Sequence, residues 1–499
     1  MTEISQTRNT NKVAKWFSSL GQSIVGAIKS IGRFFVNLGK RIANFFVGMW
    51  QMMRQGNWKT RLSFLIMGFG CFAYGQILRG ALYLILQIGF IIFMCLPTGG
   101  AFYLGKFDTL GDTLAQPEYN ADGIQIGTIK GDDSLVILLF GVATILIILV
   151  VFALYVKQLR NAFNNQERAE LGFPIEGTRD DIRQMLNKNF HVTILALPTL
   201  GIALFTVLPL IFMILIAFTQ YDKDHLTPGN LFTWVGFENF KSLFSGTSSG
   251  SMGWTFLNLL GWTLLWAILA TVTTYIGGMI LALLINKKGV RLKKVFRGFF
   301  VVTIAVPQFV SLLVVSKFFA TENGLVNQLL TSWGLIDKNI NWFGSTHLAR
   351  FMVVVINMWV GVPFSMLMTS GILMNIPDEL YESARIDGAG PVRTFFKITL
   401  PYMLFVTGPY LITQFIGNIN NFNVIFLLTG GGPRSPDLVA PAGKTDLLIT
   451  WLYNVTIGGN YQDYKTGSVI GILVFIVCAI LSLSVYRHTS AVKNEEDFQ

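Results

Sequence analysis

The chain has 499 residues, 52% of them apolar and only 13% charged, and carries a formal net charge of +11. Soluble domains hold roughly 25% charged residues, so this composition excludes an ordinary soluble domain and indicates a membrane protein. The positive balance matches anionic headgroups and membrane topology and does not indicate nucleic-acid binding.

Residues 12–55 alternate aromatic and aliphatic residues with Lys and Arg at near-helical spacing, as at Trp16, Ile24, Ile28, Ile31 and Phe35. That pattern predicts an amphipathic helix lying on the inner leaflet. Residues 1–61 lack a compact apolar core followed by a small-residue cleavage site, so no cleavable signal peptide is expected. Residues 62–78 are apolar, but Arg61 and Arg79 bracket them and Gly68, Gly70 and Gly75 interrupt them. A full span there would place the basic arm outside or remove another span, so a re-entrant or interfacial hairpin is expected.

A spanning helix needs about 20 predominantly apolar residues. Eight segments qualify, near residues 80–96, 134–155, 192–218, 256–285, 298–316, 351–376, 402–414 with a polar continuation, and 468–486, and none contains Asp, Glu, Lys or Arg. Of the 38 Lys and Arg, 28 fall in the amino-terminal region, the alternate loops and the tail, against 10 in the other loops. Such an excess marks the cytoplasmic side, and Lys287, Lys288, Arg291, Lys293, Lys294 and Arg297 crowd one short loop. Both termini are therefore expected inside a multi-pass plasma-membrane protein. The expected organisation is an amino-terminal arm (1–61), an extra hairpin with two spans (62–190), a six-span core (191–487) and a cytoplasmic tail (488–499).

Cys71, Cys95 and Cys478 sit in apolar segments, where they behave as small hydrophobic side chains and imply no disulfide framework. His191, His225, His347 and His488 are scattered without metal-ligand spacing, so neither a metal site nor a catalytic residue is expected. Gly443-Lys444-Thr445 echoes the end of a phosphate-binding loop, but Leu438 stands where a Gly is required. Asn454-Val455-Thr456 has glycosylation spacing, which arises often by chance. Energy must come from another chain or from a gradient. Gradient-driven carriers usually keep an ionisable group inside the membrane. These spans hold none, which favours a separate ATPase; a non-ATP-coupled facilitator or channel is the alternative.

The connector after the sixth span has the residues of a docking element. Pro377-Asp378-Glu379 suits a helix start, since Pro is tolerated in the first turn and acids favour the positive end of the dipole. Leu380 and Ala384 fall on one face, Gly388 permits a positive-φ turn, and Pro391 can begin a second short helix confined by Pro401. The stretch Tyr381-Glu382-Ser383-Ala384-Arg385-Ile386-Asp387-Gly388, continuing to Ile398-Thr399-Leu400-Pro401, resembles the signature loop of permease subunits in ATP-driven (ABC) importers. That pattern reads Glu-Ala-Ala, three residues, Gly, nine residues, Ile, one residue, Leu-Pro. Glu382, Ala384, Gly388, Ile398, Leu400 and Pro401 match it, and Ser383 replaces an Ala. The resemblance implies a coupling helix that sits in a cleft of a separate ATPase subunit.

Neutral spans also restrict the cargo. A charged substrate would call for a partner charge, whereas a sugar needs amides for its hydroxyls and aromatic or small residues against its ring faces. Asn357, Gly361 and Phe364 share one helix face, with Trp359 and Pro363 beside them, and Asn418 and Asn421 lie at i, i+3. The alternative is that these amides tie helices together or cap a span. From residue 192 to 486 the chain resembles the larger permease subunit of maltose and maltodextrin importers. The matches are Asn357-Met358-Trp359-Val360-Gly361-Val362-Pro363, Asn420-Asn421-Phe422, Leu428-Thr429-Gly430-Gly431-Gly432-Pro433 and Pro441-Ala442-Gly443-Lys444-Thr445-Asp446-Leu447-Leu448.

That resemblance implies an all-α membrane protein of about eight transmembrane helices with a type I ABC importer permease core. It implies sugar-lining roles for Asn357, Gly361, Phe364, Asn418 and Asn421, although Phe364, Gln414 and Gly417 depart from the family's Tyr, Ser and Phe. It also implies a homologous second permease, two ATPase subunits that bind the ATP and Mg, an extracellular sugar-binding lipoprotein, and no cofactor in this chain. The short loop 219–253 is similar to the Gram-positive form, without the folded domain of Gram-negative relatives. Malto-oligosaccharide is the expected cargo, with galacto- or other oligosaccharides as alternatives.

Overall fold

Apolar runs become helices because lipid offers no partner to a free backbone N–H or C=O, and the computed structural model shows where those runs break. It describes residues 33–488 apart from 34–35, 38, 42, 120–124, 176, 178, 181–182, 184–185, 228 and 288. Contacts divide the chain into one unit of Met1–Met213 with Thr227–Thr233, and another of Ile214–Leu226 with Trp234–Gln499.

In the first unit residues 43–55 are helical, while Trp16, Ile24, Ile28, Ile31 and Phe35 of the amphipathic pattern lie outside the described residues. Helices α1 (Trp58–Leu62), α2 (Phe69–Ala73), α3 (Ile77–Cys95) and α4 (Gly100–Gly105) precede a two-stranded antiparallel hairpin, β1 (Gln116–Tyr119) and β2 (Gln125–Ile129). Residues 62–78 do not form a spanning helix. Gly68 at φ 85° and Gly75 at φ 83° turn the chain between short helices. Helix α5 (Ser134–Glu170) is 37 residues long and starts at Asp133, whose carboxylate accepts from the Leu135 and Val136 N–H groups. In the loop before it, Asp132 accepts from Lys106 Nζ at 2.6 Å and from the Asp112 and Thr113 N–H groups. Burial pushes this carboxyl up, but Lys106 and those hydrogen bonds outweigh it and hold it well below the usual range.

Helix α6 (Phe190–Ile216) contains a π turn at Ala203–Val207. The second unit then contains α7 (Glu238–Leu243), α8 (Met252–Asn286), α9 (Lys293–Ala305), α10 (Gln308–Phe318), α11 (Leu325–Ser332) and α12 (Thr346–Leu373). It continues through α13 (Asp378–Ile386), α14 (Pro391–Thr394), α15 (Leu400–Ile419), α16 (Phe422–Thr429), α17 (Leu448–Thr456) and α18 (Tyr464–His488). Among the described residues seven continuous helices are long and apolar enough to cross a membrane, and an eighth exists only if a bent pair counts as one. That pair replaces the straight span expected at 298–316: α9 and α10 meet at 92°. Pro307 explains the break, because a proline disfavours the helical conformation in the residue before it, and Val306 is extended at ψ 125°.

Helix α8 is the axis of this unit. An added Cβ at Gly278 would lie 2.4 Å from Ser365 Cβ, and one at Gly277 would lie 2.8 Å from Val362 Cγ2. Small residues thus let α8 and α12 approach closely, as membrane helices require in place of a hydrophobic drive. One apolar cluster joins Trp262 and Trp266 of α8 to Leu312, Val353, Ile356, Val424 and Ile425. Another joins Phe256 and Leu259 to Ile419, Trp451, Val469 and Ile470.

Candidate functional site

The connector after α12 folds as its residues dictate, with two corrections. Pro377 precedes α13, Asp378 and Glu379 occupy its first turn, and Gly388 closes it at φ 72°. The Gly388 N–H bonds to Arg385 O at 3.0 Å and the Ala389 N–H to Ala384 O at 2.8 Å. Ala384 is buried, whereas Leu380 is 44% exposed, so the two do not share one environment. Pro391 stands in the first turn of α14. Pro401 does not end that helix: α14 passes through a π turn, Phe395–Thr399, into α15, where Pro401 occupies the first turn. A proline is tolerated there because it needs no N–H donor at a helix start.

Side-chain bonds brace this loop locally, from Thr394 Oγ1 to Gly390 O at 3.1 Å, and across its length. Tyr381 Oη and Thr399 Oγ1 are 3.1 Å apart. Outward stand Glu382, Ser383, Arg385, Ile386 at 86% exposure and Val392 at 71%. Ile398 and Leu400 lie in the π turn and the start of α15 that follow. An apolar ridge ringed by charges, on a helix fixed at both ends, is suited to a protein cleft.

The candidate cargo residues are drawn together through α8. Asn418, 9% exposed, donates from Nδ2 to Thr271 Oγ1 at 3.0 Å and accepts at its backbone oxygen from Trp266 Nε1 at 3.1 Å. Asn421 donates to Asn418 Oδ1 at 3.3 Å and caps α16 by accepting from the Val424 N–H. These two amides therefore make the helix ties that spacing left open. Asn357 differs: it is 6% exposed and no described residue bonds its side chain. Among the described residues the sealed side-chain nitrogens without a partner lie elsewhere, at Arg297 Nε and Trp451 Nε1. Gly361 faces Thr274, whose Cγ2 would lie 2.8 Å from an added Cβ. Phe364 packs its ring 6.2 Å from that of Tyr410 and borders a recess of about 340 Å³ with Thr303, Gln308, Ser311 and Trp359.

Thr271, Thr274, Tyr410, Gln308 and Ser311 were missed in the sequence. A run of hydroxyls inside an apolar span, Thr271-Val272-Thr273-Thr274, was the available signal for the first two. Tyr410 and the recess carried none, because only the elbow at Pro307 brings Gln308 and Ser311 to α12.

The loop between α16 and α17 is a closed knot. Asp446, fully buried, accepts from Gly443 N–H at 2.8 Å, Thr450 Oγ1 at 2.8 Å, Asn454 Nδ2 at 3.3 Å and Arg434 Nη1 at 3.4 Å. Burial pushes its carboxyl up to about 6, against those hydrogen bonds and the Arg434 charge, which favour the ionised form. Gly431, at φ 86°, leaves room for the carboxylate: an added Cβ would lie 2.0 Å from Asp446 Oδ1. Lys444 pairs with Asp437, and Lys444 O accepts from Arg350 Nε at 2.9 Å while the guanidinium covers Trp262 at 4.2 Å. Gly443, Lys444 and Thr445 thus make their bonds within this knot. Asn454 of the glycosylation tripeptide is buried within it.

Residues 274–491 match the family described as "Binding-protein-dependent transport system inner membrane component". The chain is 30% identical over 436 residues to the galactooligosaccharides transport system permease protein GanP of Bacillus subtilis (strain 168), covering 87% of this chain and 98% of that protein. It is 32% identical over 378 residues to the maltodextrin transport system permease protein MdxF of the same organism, covering 74% and 86%. It is also similar, at 21% identity and a TM-score of 0.49, to the crystal structure of a bacterial ABC transporter involved in the import of the acidic polysaccharide alginate, covering 62% of this chain and 98% of that one. With its helical spans and coupling-type loop, the chain belongs to the maltose-type permease subunits of binding-protein-dependent ABC importers, multi-pass membrane proteins that transport without being enzymes and leave ATP hydrolysis to separate subunits.

Proposed function

We propose that this chain is one half of the translocation path of an oligosaccharide importer, pairing with a homologous second permease, two ATPase subunits and an extracellular sugar-binding lipoprotein. The permease core comprises residues 191–487, and both termini are cytoplasmic. The observation that supports the coupling role is the exposed pair Ile386 at the end of α13 and Val392 in α14, with Gly388 and Tyr381 holding the turn between them. ATP binding would close the ATPases, shift α13 with α15, and turn the cavity outward; hydrolysis would reset it.

Neutral malto-oligosaccharide is the favoured cargo. Asn357 supports this, as a buried amide in a span gains from a hydroxyl partner that no described residue supplies. Phe364 and Trp359 supply faces for sugar rings, and Gln308 and Ser311 supply further polar groups. Asn418 gives one amide hydrogen to Thr271 and Asn421 gives one to Asn418 Oδ1, so each keeps a second for a ligand. Similarity to the galactooligosaccharides permease favours a second reading, with β-linked galactose chains in place of maltodextrin.

Uptake into proteoliposomes by the assembled importer tests both. Labelled maltotriose and galactotriose, supplied with the binding protein, should show import of one that drops roughly tenfold in Asn357→Ala, a loss of about 1.5 kcal/mol. Import of neither sugar would overturn the cargo, and an unchanged rate in the variant would remove Asn357 from the path.

A further inference from the structure

The long helix α5 outlasts the membrane. From Ser134 to Val156 it rises about 33 Å at ~1.5 Å per residue, already the thickness of a hydrocarbon core of about 30 Å. Beyond that point it continues to Glu170. Residues 57–76 are latched to this extension by paired polar groups. Tyr155 Oη donates to Phe64 O at 2.9 Å, Gln158 Nε2 to Ser63 O at 2.8 Å, and Asn165 Nδ2 to Gln76 Oε1 at 2.9 Å. Gln166 Oε1 accepts from the Asn57 N–H and from Thr60 Oγ1, both at 2.8 Å. Phe45 of the helical segment 43–55 lies 5.9 Å from Phe152, at the same end of the span. The result is a collar of two layers around the helix where it leaves the apolar core.

Two properties of this collar point to one occupant. Its outer side is apolar: Phe46, Val47, Trp50, Trp58 and Leu65 are each more than half exposed. Within residues 43–76 and 155–166 the charge is of one sign, since no Asp or Glu occurs there, while Arg54, Lys59 and Arg61 do. Lys157 and Arg160 of α5 add to it. The acids Glu167 and Glu170 follow on α5, where Glu170 accepts from Gln166 Nε2 at 2.8 Å. Arg54, Lys157 and Arg160 are exposed and have no carboxylate partner among the described residues. Exposed indoles beside unpaired cations at a membrane boundary match a layer of acyl chains under phosphate groups.

We propose that the collar formed by residues 43–76 and 155–166 is a binding surface for anionic phospholipid, with Arg54, Lys157 and Arg160 taking the headgroup phosphates and Trp50 and Trp58 entering the acyl layer. The surface holds the first unit at a fixed depth in the bilayer.

The full chain, purified in a neutral detergent, should retain phosphatidylglycerol in preference to phosphatidylcholine when lipids are titrated and counted by native mass spectrometry. Retention should weaken as ionic strength rises. Combined Arg54→Gln, Lys157→Gln and Arg160→Gln should lower the phosphatidylglycerol affinity by roughly fivefold for each charge removed, following ~1 kcal/mol per basic residue near an anionic surface. The Arg54→Lys, Arg160→Lys variant, which keeps the charge, should bind as the parent does. Brominated phosphatidylglycerol should quench the parent's fluorescence more than that of Trp50→Phe, Trp58→Phe. Equal retention of both lipids, an unchanged affinity in the triple variant, or loss of binding in the Arg→Lys variant would overturn the proposal. Competition by millimolar glycerol 1-phosphate as effective as that of the lipid would do so too, identifying a free-phosphate site.

Discussion

The two ends of α12 meet loops built on opposite plans. At its first turns, Arg350 donates to the 430–447 loop, which buries Asp446 among four donors and ties itself to α8 by Trp262 Nε1 to Thr445 O and Leu448 N–H to Thr263 Oγ1. After its last turn, the 381–401 loop rests on backbone turns, the local Thr394–Gly390 bond and the longer-range Tyr381–Thr399 bond, and Leu380, Ile386 and Val392 stand outward there. A loop whose polar groups satisfy one another holds helix ends in register by itself. A loop whose adhesive side chains face away is finished only by another chain. Under the proposed function, the contrast fits passive bracing at one end of the unit and force transfer at the other.

The largest break in that contrast should come from Gly388→Pro. Proline requires φ near −65° and has no N–H, whereas Gly388 sits at φ 72° and donates to Arg385 O. Sugar uptake and sugar-stimulated ATP hydrolysis should fall to background while the chain still reaches the membrane; normal transport would sink the coupling role. Next, Asp446→Ala should strip four donors of their acceptor and destabilise the protein by about 2–4 kcal/mol. A thermal melt in detergent reads that loss, and an unchanged midpoint would mean the knot braces nothing.

A titration sharpens the same comparison. The Asp446 carboxyl rises from its ordinary 3.8 to about 6 in the folded protein. The folded state then binds this proton more readily than the unfolded chain does, so the stabilisation is full below 3.8 and is lost as pH rises through about 6. Asp437, lowered chiefly by Lys444, and Asp222, where Lys465 and His225 outweigh the upward push of burial, act in the opposite sense but only at and below 3.8. Melting midpoints of the parent should therefore rise from pH 7 to pH 5, and Asp446→Asn should flatten that slope. The smallest effect is expected from Tyr381→Phe, which removes one bond worth about 0.5–1.5 kcal/mol. Transport should slow without stopping, and an unaltered rate would show that the turn at Gly388 alone sets the angle of α13.

The 377–401 connector was legible because its signals are local. Pro377, Gly388 and Pro391 each act through their own backbone, and each does what its chemistry predicts. Pro401 misled for the same reason: as a residue it reads as a stop, yet after a π turn it opens α15. The bend at Pro307 had its cause in plain view, hidden only by the uniform hydropathy around it. The cargo residues were harder. Asn418 and Asn357 are the same amide in similar apolar settings, and what separates them is Thr271, which lies 147 residues before Asn418 and is brought to it by the packing of α8. No periodicity encodes that pairing. The close contact of Gly361 with Thr274 is equally tertiary, so a bulky residue there would push α8 and α12 apart before it filled any cavity.

The most direct measurement is site-specific cross-linking from Ile386 in the assembled importer. In a chain with Cys71, Cys95 and Cys478 replaced, Ile386→Cys should form a short-linker cross-link to the ATPase subunit in membranes and resist an impermeant thiol reagent applied from outside. The account predicts that ATP binding changes the yield of that cross-link. Labelling from outside with no cross-link to the ATPase, under any nucleotide condition, would contradict both the orientation and the role of α13.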